Sequence, residues 1–131
     1  MASASGSTKT VIREYSGSVL GSWQSGTATS GSSGANLLII GTVNKTKILK
    51  SLLVDESRLT SGAIITIRIY TNIFDTERKV YDQDFTQGTD PDGIWVVNGD
   101  LTINGTTRVE LYSNTAADNG MYVDYQYLLE I

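Results

Sequence analysis

Asp82 and Asp84 are the nearest this chain comes to acid–base equipment. Two residues apart in an alternating segment, they would project from one face of a strand, about 7 Å apart, against roughly 5 to 5.5 Å in a retaining glycosidase pair. A solvated strand face carries alternating acids too, so the spacing is weak ground for catalysis. Asp90-Pro91-Asp92-Gly93 offers oxygens that suit Ca²⁺, but it lacks the longer spacing and bidentate Glu of an EF-hand loop. A tight turn wants the same residues for backbone reasons. Lys45, Lys47 and Lys50 form the one basic cluster. Each could displace a counterion from a phosphate, but lysines beside a turn also guard a strand edge, and a net charge of −4 opposes nucleic-acid binding.

Composition removes most other chemistry. There is no His and no Cys. The commonest general base, the usual zinc ligands, a thiol nucleophile and a disulfide scaffold are therefore all missing. Neither a phosphate-cradling GxxxxGK[ST] loop nor a GxGxxG after a strand is present, so the expectation is no cofactor, no metal and no enzyme. Among the aromatics, alternation places Trp95 with Val97 and Tyr125 with Val123 and Tyr127, which reads as core. Tyr112 and Tyr122 fall on the more polar faces of their segments and are the candidates for recognition. Asn44-Lys45-Thr46 and Asn104-Gly105-Thr106 match the glycosylation sequon but carry no weight without a secretory signal.

The elements that must position these residues are strands. Residues 121–131 alternate apolar and polar to the end, and residues 63–73 place Ile65, Ile67, Ile69 and Ile73 on one face. Shorter runs cover 37–43, 48–55, 79–85, 94–98, 101–103 and 108–114. Asn98-Gly99 and Asn104-Gly105 are preferred centres of tight hairpins, which suggests a meander there. At most a helical turn fits 55–61 or 73–78. Seven or eight short strands in about 95 residues specify an all-β chain, a single antiparallel β-sandwich of jelly-roll or immunoglobulin-like type spanning residues 36–131. Runs such as Leu52-Leu53 and Ile94 to Val97 are apolar on both faces, through a second buried surface or a covering loop.

Residues 1–35 differ. Through Asn36 the sequence is more than half Ser, Thr and Gly, with two apolar islands: Val11, Ile12 and Tyr15, then Val19, Leu20 and Trp23. Such a stretch builds no core of its own. We read it as an extended N-terminal arm whose islands are assembly contacts. Charge is divided as well: residues 1–74 hold seven Lys/Arg and three Asp/Glu, and residues 75–131 hold three and eleven, or +4 against −8. Acidic turns account for this, or else complementarity between copies. No apolar run reaches the roughly 18 to 20 residues of a membrane span, and the first residues lack the regions of a signal peptide, so synthesis in a cytosol and no membrane partner are expected.

An arm at 1–36 feeding a Cys-free, His-free sandwich, with the turn-punctuated stretches 93–105 and 108–114, resembles small virion structural proteins of tailed bacteriophages, of head-decoration, head-fibre and tail-accessory type. The resemblance implies a non-enzymatic protein, made in the host cytoplasm, that joins a virion. Its partners would be other capsid or tail proteins and copies of itself, commonly as a trimer, with no direct nucleic-acid contact. The alternative is a carbohydrate- or receptor-binding module using Tyr112 and Tyr122.

Overall fold

Isoleucine at every second position makes residues 65–69 a strand with one fully buried face, and the rest of the architecture assembles around it. The computed structural model describes residues 18–20, 24–31 and 35–130. In chain order the strands are β1 (Ser18–Leu20), β2 (Gln24–Thr27), β3 (Thr29–Ser30), β4 (Leu38–Ile40), β5 (Thr46–Asp55), β6 (Ile64–Ile73), β7 (Thr76–Thr86), β8 (Gly93–Asn104), β9 (Thr107–Ser113) and β10 (Tyr122–Glu130). One sheet runs β1-β10-β5-β8 with β2 also on β10; the other runs β3-β9-β6-β7 with β4 also on β9. All pairings are antiparallel except β3 with β9. The fold is the expected antiparallel β-sandwich. Leu49, Leu52, Val54, Ile103 and Val123 from the first sheet meet Ile65, Ile67, Ile69, Val109 and Leu111 from the second, all at most 1% exposed.

Neither Asn-Gly pair closes a hairpin. Around Asn98-Gly99 the strand runs on: Leu101 pairs with Leu49 and Asn98 with Ser51, so Gly99 and Asp100 bulge opposite Lys50. Asn104-Gly105 carries the chain from one sheet to the other, because β8 and β9 lie in different sheets. A second bulge explains Trp95, expected in the core and found 56% exposed. Val97 pairs with Leu52 but Trp95 with Leu53, so the extra residue Val96 turns Trp95 to the outer face. The single helical turn among the described residues is a 3₁₀ turn at Ala116–Asp118, outside both expected places.

Part of the segment read as an arm is paired within the sandwich. β1 and β2 add to the edge of β10, the chain crosses at buried Ala28, and β3 adds to β9. Ala28 N–H donates to Met121 O at 2.8 Å and its carbonyl accepts from Gly120 N–H at 2.8 Å. Gly26 permits this course, since a Cβ there would lie 2.5 Å from Leu37 O. Paired strands lie on both sides of residue 35, the expected boundary: β3 before it and β4 after it. Val11, Ile12, Tyr15 and Trp23 lie outside the described residues, and of Val19 and Leu20 only the backbone pairing is described.

Candidate functional site

Three turns converge at one end of the sandwich: the loop Gly41–Lys45, the tip of the β6–β7 hairpin, and the β8–β9 crossing. They enclose a cleft of about 500 Å³ lined by Asn44, Lys45, Thr46, Asn72, Asn104 and Gly105, with Phe74 and Asp75 on the hairpin side. The hairpin is of the two-residue kind: Ile73 pairs with Thr76, and Phe74 and Asp75 both have positive φ, 50° and 62°. Phe74 is 98% exposed, and Val43 and Ile73 nearby are exposed as well.

Side chains and backbone brace the turns against one another. Asn72 Nδ2 donates to Asn104 O at 3.1 Å and Asn104 Nδ2 donates to Asn72 O at 3.2 Å. Thr46 Oγ1 donates to Asn104 Oδ1 at 2.9 Å, and Gly105 N–H donates to Lys45 O at 2.8 Å. Beneath them Asn104 N–H donates to Thr71 Oγ1 at 2.8 Å, and Thr71 and Thr107 share a buried hydroxyl hydrogen bond at 2.9 Å. Satisfied networks of this kind hold a single geometry. Gly41 belongs to the same brace: with φ 93° it brings the loop so close that a Cβ would lie 2.4 Å from Gly105 O.

The sequence-derived candidates divide. Asp82 and Asp84 share a face of β7, but each is engaged structurally. Lys79 Nζ donates to Asp82 Oδ2 at 2.6 Å and holds that carboxyl below the usual range, with Arg68 nearby, while Thr66 Oγ1 donates to Asp84 Oδ1 at 2.9 Å. Asp90 closes its own turn, its Oδ2 accepting from Thr86 N–H at 2.6 Å. Among the described residues, no group of three or more acidic side chains is arranged to hold a metal ion. Of the lysines, Lys47 donates to Thr42 Oγ1, Lys50 pairs with Asp100 at 3.0 Å, and Lys45 lines the cleft.

Tyr122 is 63% exposed, whereas Tyr112, placed on a polar face by alternation, is only 3% exposed. It lies between Thr66 of β6 and Thr29 of β3 in register, with Arg68 over its ring at 5.2 Å; burial, then the Glu110 carboxylate, pushes its phenol pKa up. That outer sheet face is a lattice of paired charge. Arg108 bonds Glu77 at 2.9 Å and also Glu110, and stacks 4.0 Å over Tyr70.

Sequence reasoning missed two features. Phe74 sits at the first turn position, where Asn or Gly is the expected residue, so nothing flagged it. Glu56 follows β5 at the end where Asp92 O accepts its N–H at 2.9 Å, is fully buried, and meets no hydrogen-bond donor among the described residues. Burial first, then the fields of Asp90, Asp92 and Asp55, push its carboxyl up to about 7.

The fold places the chain among antiparallel β-sandwich proteins. No family model and no curated protein matches it. Among solved structures it is similar to a chain in the crystal structure of the infectious bursal disease virus VP2 subviral particle, at 16% identity and a TM-score of 0.41, over 86% of this chain and 31% of that one. The chain thus spans less than a third of the length of that neighbour.

Proposed function

We propose that this chain is a non-enzymatic virion structural protein, a decoration or accessory subunit that assembles on a capsid or tail surface through its N-terminal segment and strand edges. The observation that supports the reading is how residues 18–20 and 24–30 engage the sandwich: a Ser/Gly/Thr-rich stretch adds short strands to the edges of both sheets. Main-chain hydrogen bonds supply affinity in such strand addition, and the side chains set specificity. Val11, Ile12 and Tyr15, ahead of that stretch, are assigned the contacts with neighbouring subunits on which attachment depends, with Val19, Leu20 and Trp23 as supporting contacts. The acidic candidates support a non-catalytic reading because Asp82, Asp84 and Asp90 are each occupied in holding strands or turns together.

Deleting residues 1–17 leaves every described strand in place and tests the reading. Producing cells are given the full chain or the deleted one, and copies on purified particles are counted. The deleted chain should fold with an unchanged melting temperature and be absent from particles. Incorporation at full-length levels would refute attachment through this segment.

A further inference from the structure

Phe74 has no role in folding that the structure explains. Its ring is 98% exposed, and at φ 50° an aromatic residue crowds its own backbone. A two-residue hairpin of this type is closed more readily by Asn or Gly. Strain kept at an exposed position points to use. What lies beside Phe74 identifies the use: a cleft in which the amides of Asn72 and Asn104 are held by bonds to the backbone and that of Asn44 is left to meet a ligand.

The cleft chemistry is that of hydroxyl recognition. Beyond the brace, the Asn44 amide, Asn72 Oδ1 and the second Nδ2 proton of Asn72 and of Asn104 remain as donors and acceptors, and a sugar hydroxyl likewise donates and accepts. Thr46 adds a hydroxyl oxygen that can accept, its proton being given to Asn104 Oδ1. Asn72 lies close over the crossing turn only because residue 105 is glycine; a Cβ there would come within 2.8 Å of its Nδ2. Lys45 and Asp75 bring opposite charges, and neither side chain has a hydrogen bond or ion pair among the described residues, so the pair favours a ligand without net charge. On the rim, the flat face of Phe74 suits the apolar C–H face of a pyranose ring. The walls are the ends of β5, β6 and β8 and the turns beside them rather than the length of an open strand edge, which disfavours an extended peptide. A volume of about 500 Å³ admits a short oligosaccharide.

We propose that this platform is a binding site for a neutral oligosaccharide, with Phe74 stacking on a sugar ring and the amides of Asn44 and Asn72 bonding its hydroxyls. The site is independent of the assembly reading, since none of its residues belongs to the N-terminal segment.

The test uses the full-length protein on a printed array of neutral oligosaccharides, with sialylated ones as a charged arm. Wild type should bind members of the neutral arm, Phe74→Ala should bind them about tenfold more weakly at an unchanged melting temperature, and Tyr122→Ala should bind as wild type. Amide NMR shifts on adding a bound glycan should centre on Asn44, Lys45, Asn72, Phe74 and Asn104. The proposal is overturned if no neutral glycan is retained above background, if binding is confined to the sialylated arm, or if Phe74→Ala binds as well as wild type.

Discussion

Replacing Phe74 with Asn should make the protein more stable. The left-handed conformation costs an ordinary residue about 1–2 kcal/mol, and Asn is among the few that visit it routinely. Because the ring is almost wholly exposed, its removal forfeits no packing against the described chain. Asp75 keeps its own positive φ in both proteins. The expected gain is therefore about 1 kcal/mol. With an unfolding entropy near 2.1 cal/mol/K per residue, a chain of this length should melt about 4 °C higher. Differential scanning calorimetry of wild type, Phe74→Asn and Phe74→Ala at neutral pH measures it. Alanine retains a Cβ in the same strained backbone and should leave the midpoint nearly unchanged. A Phe74→Asn midpoint at or below wild type, or an equal rise in Phe74→Ala, would refute the claim that this turn stores strain for the sake of its ring.

Further outcomes follow from the core, the braces and the buried acid. Glu56 holds its proton in the folded state to about pH 7, against 4.5 as the ordinary value, so its contribution is fully present below about pH 4.5 and is lost as pH rises through 7. Urea denaturation at pH 5 and pH 8 should differ by about 2.5 kcal/mol through this group, and Glu56→Gln should flatten the profile; an unaltered slope in the variant would assign the dependence elsewhere. Gly41→Ala should destabilise by about 2 kcal/mol or more, from positive φ and collision with Gly105 O, whereas Gly62→Ala, with positive φ but open space, should cost nearer 1 kcal/mol; equal midpoints would dissolve the argument for a braced loop. Ile67→Ala should cost about 2–5 kcal/mol by chemical denaturation, as a cavity between the sheets demands. Asp82→Asn should change stability by less than about 1 kcal/mol, because its pairs with Lys79 and Arg68 lie near the surface.

The parts of the fold legible in the sequence are those where alternation runs unbroken against one buried face. Ile65, Ile67 and Ile69 in β6, and Val123 and Tyr125 in β10, declared their faces because each strand pairs without slippage there. Bulges defeated the same reasoning in β8: one extra residue at Val96 reversed Trp95, and Gly99-Asp100 absorbed an apparent hairpin. Tyr112 was misjudged because the outer face of β9 is hidden by a packed neighbourhood that alternation cannot register. The cleft was out of reach for a similar reason, since Asn44 lies in a loop and Asn72 and Asn104 at the ends of strands in different sheets, far apart in the sequence. A phenylalanine in a left-handed turn runs against the residue preferences by which such turns are recognised. Glu56 looked like one more acid after Asp55, and only its burial beneath the turn at residues 90–92 sets it apart.

Light scattering coupled to size-exclusion chromatography, run over a concentration series on the full chain and on the chain starting at Ser18, tests most directly whether the protein works by association. The account predicts a mass that rises with concentration for the full chain and a constant monomer mass, at the same melting temperature, for the shorter one. A monomer at every concentration in both, or the same self-association in both, would contradict it.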